Sequence, residues 1–530
     1  MFKMDSISIG KPYAEPKPGQ ERPEFPTLLH MLADATEKVP DRTALICGDD
    51  SLTYEEYGRC VTGLKKELEA LGARGQRVAV TMTNSNEALI ACYGILAAGA
   101  QVSFLNPFYT ERELLPLLQD VDAHVLICHQ PYTENVLPIA EKADVAHTLI
   151  FGGEGNLSLG QWRDDESLAL TGPFPAPGDP ASLVYTGGTT GVPKAVEHTH
   201  EENIKSAVTI CGAWPTELDQ DVWVNAAPVS HIWAILVGCW CPIYYRGTVL
   251  TIEKFVPDEM VAQMELHKAT VLCGGPAAFY NGLMSASNIA DANLSNLRLC
   301  FGGGSPFPLD TLNGWDEKVG VPILETYGMS EIAPVSSNRV GGVRKIGSVG
   351  QPHWDTEIQI VDLESGNDIL PVGEAGEIRV RGPHAMKKYR NRPEETKIAV
   401  RDDWIYTGDI GRLDEDGFLY IVDRKKEMVI VGGYNVFPRE IEEILFSHPT
   451  VQDAAAIGVP DDYKGEVIWA YVVLKSDSRT TEQEFLDLCA ENLVTYKRPV
   501  GITISNELPK TPANKPDKNA LLDLHIKENS

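Results

Sequence analysis

The sequence predicts an α/β protein. It has a large N-terminal domain of two layered α/β subdomains with a small β-rich subdomain, then a small α+β C-terminal domain. Three observations predict this. Short apolar runs alternate with stretches of helical apolar spacing from residue 26 to residue 301, a pattern that implies parallel sheets layered with helices. From Gly347 the texture changes to short strands separated by turns. After Asp423-Arg424-Lys425-Lys426 a compact set of strands and helices begins, of plausible domain size. The expected division is 1–425 and 426–530.

Residues 11–26 are rich in proline and charge and read as an extended arm. Residues 26–35 and 55–71 carry helical apolar spacing. Residues 77–83 read as a strand, 86–99 as a helix and 101–105 as the next strand; 124–128 and 147–151 repeat the strand theme. A Pro/Gly-rich approach, 172–179, leads to the apolar run Ala181-Ser182-Leu183-Val184. In the second alternating unit, 222–226 is a strand, 232–241 a helix, and 248–250, 270–273 and 297–301 are strands. Strands 357–361 and 376–380 make the β-rich part, broken by Glu364-Ser365-Gly366-Asn367 and Pro371-Val372-Gly373-Glu374. Beyond Lys426 come a short strand, a Gly-Gly turn, helix 438–447, strands 454–459 and 468–474, and a helix near 482–493.

The 530 residues suffice for a large core and more than one domain. With 46 Lys+Arg against 75 Asp+Glu the net charge is −29, which argues against nucleic acid or an anionic membrane as partner. The ten cysteines are scattered without a C-x-x-C pair, as expected of reduced, buried thiols in a cytoplasmic protein. The N-terminus lacks the apolar core of a signal peptide. The longest apolar runs, 88–102 and 232–245, fall short of the roughly 18 residues of a membrane span. No integral membrane segment is expected; a homodimer is allowed.

The functional signal centres on Tyr185-Thr186-Gly187-Gly188-Thr189-Thr190-Gly191-Val192-Pro193-Lys194. Three glycines let the backbone approach a ligand closely. The amides, three Thr hydroxyls and one ammonium are donors suited to a polyphosphate. The lysine follows Gly-Val-Pro, so this is not a Walker A loop. The loop, with His198-Thr199-His200 and Asn203 after it, resembles the phosphate-binding signature of the adenylate-forming enzymes: acyl-CoA synthetases, luciferases and peptide-synthetase adenylation domains. Gly187 stands where that family commonly has serine, and Ala195 where it has glycine. The first departure is similar to that of bacterial fatty-acyl-CoA synthetases.

Further stretches resemble the same family in the same order, over nearly the whole chain. The resemblance implies that Gly302-Gly303-Gly304-Ser305 lies beside adenine and shapes the acyl pocket. In Tyr327-Gly328-Met329-Ser330-Glu331 it implies that Tyr327 stacks on adenine, Ser330 bonds the α-phosphate and Glu331 binds Mg²⁺, a hard ion that favours oxygen. Thr186 is a second candidate metal ligand. Asp409, in Tyr406-Thr407-Gly408-Asp409, and Arg424 take ribose positions, and Lys426 the hinge of a mobile C-terminal domain. Gly432, Gly433 and Tyr434 take the coenzyme A tunnel, with Pro438 starting the next helix. Lys515, in Leu508-Pro509-Lys510-Thr511-Pro512-Ala513-Asn514-Lys515, takes the catalytic position; Lys510 and Lys518 are competitors, and Asn514 replaces the usual glycine. His231, in Pro228-Val229-Ser230-His231-Ile232-Trp233-Ala234, matches a P-x-x-H segment between acyl pocket and reacting carboxylate, with Trp233 lining or backing that pocket.

The resemblance implies ATP-dependent activation of a carboxylic acid, a fatty or related one, to an acyl-adenylate, then transfer to coenzyme A. ATP, Mg²⁺ and coenzyme A are the cofactors and co-substrates expected. Lys464, Lys497 and Arg498 are cations for CoA phosphates or for solvent. A ligase for a short or aromatic acid, a free-standing adenylase loading a carrier protein, a luciferase-like oxidase and an inactive nucleotide-binding scaffold are the alternatives.

Overall fold

The structure is a computed structural model. It describes residues 7–9 and 24–529, except 154, 187–192, 306, 462, 477 and 511–515. The expected N-terminal arm lies largely outside these residues. The chain forms two compact units. Of the described residues, one unit holds those within Ser8–Glu357 and Val380–Ile405; the other holds Ile7 and those within Ile358–Arg379 and Tyr406–Ser530.

The larger unit is α/β, with two mixed sheets. Its seven-stranded sheet has five parallel strands, Arg77–Thr81, Gln101–Phe104, Val125–His129, His147–Phe151 and Pro180–Tyr185, with antiparallel strands added at one end. Its nine-stranded sheet is parallel through Thr43–Cys47, Thr248–Thr251, Val222–Asn225, Val271–Cys273, Leu299–Gly303 and Ile323–Met329. Alternation along each strand decides what it covers, because successive side chains point to opposite faces. Val78 and Val80 join one core and Ala79 another; Leu299 and Phe301 join the first core while Cys300 turns to a third. The shared core packs helices Leu28–Lys38, Tyr54–Ala70, Asn86–Ala97 and His200–Ala213 between the two sheets. Helix Asn86–Ala97 is accordingly buried on every face. Outer helices Glu111–Val121 and Thr133–Lys142 cover one sheet. Pro257–Leu266, Ala277–Met284 and Leu309–Val319 cover the other. Parallel sheets need this double cover.

The helix expected over 232–241 is present but not uniformly α. Ile235–Trp240 is a π-helix between the α-turns Ile232–Ala234 and Cys241–Tyr244. Pro242 has no amide hydrogen for the carbonyl four residues back, and a wider turn carries the chain past it.

In the smaller unit, residues 409–413 pair antiparallel with Leu419–Arg424 in a hairpin. A five-stranded sheet carries Val451–Asp461, Gly465–Leu474 and Gly501–Ser505. Ala454 and Ala456 face helices Pro438–Phe446 and Glu482–Asn492, while Ala455 and Ile457 face helix Lys518–Asn529.

Candidate active site

The Gly/Thr-rich loop that the sequence singles out for phosphate is closed at its base by Thr186 and Lys194. Thr186 N donates to Lys194 O at 2.9 Å, and Lys194 N donates to Thr186 Oγ1 at 3.3 Å. Strand Ala195–Thr199 then returns antiparallel to Pro180–Tyr185, with Ala195 opposite Tyr185. Gly187, Gly188, Thr189, Thr190 and Gly191 lie outside the described residues.

Gly302 and Gly303 end strand Leu299–Gly303, and Gly304 follows it. A Cβ on Gly302 would meet the Phe307 ring at 2.4 Å, and one on Gly303 the Thr326 carbonyl oxygen at 2.5 Å. Gly304 has φ +80°, with open space where a Cβ would stand. Ser305 follows at the strand's exit. Strand Ile323–Met329 runs parallel beside this segment, placing Glu325 opposite Gly302. It turns back through Ser330 and Glu331 into Ile332–Ser337, with a register shift between Tyr327 and Met329 that includes Gly328. Ser330 O is held by His198 Nε2 at 2.8 Å. A carbonyl only accepts, so His198 carries its proton on Nε2. Burial lowers its pKa and keeps the ring neutral. Glu331 is 6% exposed. Its carboxylate accepts the Tyr389 hydroxyl at 2.5 Å and its carbonyl the Met386 amide at 2.8 Å.

His231 is exposed and caps the short helix, Nδ1 accepting from Trp233 N at 3.2 Å. The Trp233 indole donates to Gly274 O at 2.9 Å, and Gly303 N to Gly275 O at 3.2 Å. These bonds bring the His231 segment and the Gly302–Gly304 segment to the same end of the sheet. Trp214 stacks on Phe301 with centroids 3.3 Å apart. A narrow cleft is lined in part by Ile232, Leu236, Trp240, Ser330 and Ala333.

In the smaller unit, Asp409 and Arg424 are register partners across a hairpin, with Nε 3.3 Å from Oδ1. The two residues singled out for ribose therefore meet. Lys426 lies exposed in the 3₁₀ turn Lys425–Glu427. Gly432 and Gly433 form the turn between Val429–Val431 and Tyr434–Val436 with φ of +57° and +88°. A Cβ on Gly433 would meet nothing within 4 Å. Tyr434 stacks on Tyr496 at 4.5 Å.

Lys515 lies outside the described residues. Both competing lysines are committed elsewhere. Lys510 pairs with Asp453. Lys518 is held by Glu442 at 2.8 Å and Glu427 at 3.1 Å, and these carboxylates outweigh burial to raise its pKa. Lys497 pairs with Glu440, and Arg498 donates to Leu493 O at 2.8 Å. The ten thiols are unpaired; burial pushes the Cys47 thiol, the least enclosed, up to about 11.

Among the described residues no three His, Cys, Asp or Glu side chains gather as a metal cage. One buried carboxylate and the Thr186 hydroxyl are hard oxygen donors. They fit Mg²⁺, which commonly takes its remaining ligands from substrate phosphates and water.

The fold and its relatives mark an enzyme of the AMP-forming ligase class. The family model described as AMP-binding enzyme matches residues 32–390, and that of the AMP-binding enzyme C-terminal domain matches 440–515. The chain belongs to the AMP-binding enzyme family. It is 33% identical to the long-chain-fatty-acid–CoA ligase of Bacillus subtilis (strain 168), over 97% of this chain and 98% of that protein. It is 31% identical to the 2-succinylbenzoate–CoA ligase of Bacillus cereus, over 92% of this chain and 97% of that one. ATP-bound MatB from Rhodopseudomonas palustris superposes with a TM-score of 0.86 at 30% identity, covering 95% of this chain and 100% of that structure.

Sequence reasoning missed Tyr389. It lies on a two-residue strand, too short to show any periodicity.

Proposed function

We propose that the protein joins a carboxylic acid to coenzyme A in two steps at the expense of ATP. A carboxylate oxygen attacks the α-phosphorus, the α–β phosphoanhydride bond breaks, and pyrophosphate leaves. The thiol sulfur of coenzyme A then attacks the acyl carbon, the acyl–phosphate bond breaks, and AMP leaves. The observation that carries this reading is the meeting of Lys194 and Glu331 on one side chain, Tyr389. A phosphate-binding cation and a cation-binding carboxylate are thereby adjacent. Mg²⁺, when bound, supplies charge neutralisation to the phosphates.

In this reading Lys515 offsets the repulsion between carboxylate and triphosphate in the first step. Asp409 accepts the ribose hydroxyls, an acceptor-only group meeting two donors. Rotation about Lys426 between steps withdraws Lys515 and brings Gly433 to the pantetheine arm. Unpaired cysteines support a reducing, cytoplasmic setting. Among the described residues no helix is long and apolar enough to cross a membrane.

The fatty-acid reading draws on the long-chain ligase relative. A second reading, a compact or aromatic acid, draws on Trp240 in the cleft lining and on the Trp214–Phe301 stack behind the glycines. A panel of acids with ATP, Mg²⁺ and coenzyme A, with AMP and pyrophosphate followed separately, tests both. The expected result is AMP release that requires coenzyme A and is confined to one class of acid. Turnover with pyrophosphate but no CoA-dependent AMP would point to another acceptor and sink the ligase reading.

A further inference from the structure

One residue grips both halves of the phosphate-handling apparatus. Tyr389 lies on the edge strand Lys388–Tyr389, paired antiparallel with Ala195–Thr199, so that Tyr389 stands opposite Val196. Its amide donates to Thr396 Oγ1 at 3.0 Å, and the next amide, Arg390 N, donates to Ala195 O at 2.9 Å. Three residues upstream, Met386 N donates to Glu331 O. The segment 386–390 thus ties the base of the phosphate loop to the hairpin tip that carries Glu331.

The side chain completes the link. Tyr389 is 6% exposed. Its hydroxyl donates to Glu331 Oε1 at 2.5 Å, and the Lys194 ammonium sits over its ring, 5.0 Å from the centroid. A phenol hydroxyl against an acceptor-only carboxylate is the donor of that bond. A hydroxyl holding one carboxylate oxygen fixes the orientation of the other. Partners of this kind commonly tune a metal ligand. An aromatic face attracts an ammonium without taking up its hydrogen-bond donors, which can then serve a phosphate.

We propose that Tyr389 is a positioning residue for adenylation: its hydroxyl aims Glu331 at the divalent cation that accompanies ATP, and its ring steadies Lys194 beside the triphosphate. The inference rests on the proposed function. A tyrosine that only filled space would be replaced by phenylalanine without consequence.

The test measures Mn²⁺ binding, by electron paramagnetic resonance, to the full-length protein with ATP present, and ATP binding without metal, by calorimetry. Tyr389→Phe should weaken Mn²⁺ binding about tenfold and leave metal-free ATP binding unchanged. Tyr389→Leu should also weaken metal-free ATP binding, by roughly two- to fivefold. Should the leucine variant fail to fold, the phenylalanine variant decides alone. Equal Mn²⁺ affinity in wild type and Tyr389→Phe would overturn the inference while leaving the nucleotide reading intact. Wild-type protein that binds no ATP with or without Mn²⁺ would overturn the nucleotide reading, and this inference with it.

Discussion

Four histidines are held neutral by the fold, and their titration sets a limit on its acid stability. Burial lowers the His198 pKa and takes His200 to about 4, His353 to about 3 and His384 to about 4. The ordinary value is 6.5, so the unfolded chain binds these protons first as pH falls. Stability from neutral burial is full above pH 6.5 and is lost progressively as pH falls towards the folded values. Asp423 works in the opposite sense: burial raises it to about 6, so its penalty eases as pH falls through that value. Four groups outweigh one. The melting temperature should fall steadily from pH 6.5 to pH 4, with net proton uptake on unfolding measured by calorimetry in buffers of different ionisation enthalpy. A flat profile would mean that these rings do not stay neutral inside. At this scale, Glu331 and the Asp409–Arg424 pair could be singled out from short motifs, and the pair does meet. Tyr389 was not legible, because its meaning arises from contacts 58 residues away in sequence at Glu331. Lys510 and Lys518 were competitors of Lys515 in the sequence, and their carboxylate partners could not be read there.

The helical segment from Ile232 to Tyr244 shows what elements add. Its apolar run predicts a buried helix, but a π-turn leaves hydrophobic spacing nearly unchanged and so escapes periodicity. Gly238, inside the π-helix, lies against strand Val222–Asn225: a Cβ there would stand 2.2 Å from Asn225 Nδ2. That close approach fixes the helix carrying Ile232, Leu236 and Trp240. Gly238→Ala should therefore overpack the contact and cost about 1–3 kcal/mol, read as a lowered midpoint in urea unfolding. An unchanged midpoint would show that the Asn225 side chain swings away freely. Most of the parallel strands were readable from their short apolar runs, but Thr43–Cys47 and Ile323–Met329 were not assigned. Strand Ala195–Thr199, with Glu197 and His198 within it, was not, because its partners on either side supply the reason for its form.

The whole molecule is acidic, with a formal charge of −29, yet its proposed substrates are anions. Local cations would have to recruit them, and Lys194 is a candidate whose setting the structure describes. The five-layer packing of the larger unit explains the all-round burial of helix Asn86–Ala97, which the sequence shows only as an apolar run. The order of the strands within each sheet was beyond the sequence, since pairing is decided by partners far along the chain. The central claim is that adenylation precedes and is separable from thioester formation. Its most direct test is exchange of labelled pyrophosphate into ATP, without coenzyme A, in the presence of an accepted acid. The account predicts acid-dependent exchange in wild type, lost in Lys515→Ala, with AMP released only once coenzyme A is added. Exchange that requires coenzyme A, or formation of ADP and phosphate instead of AMP and pyrophosphate, would contradict it.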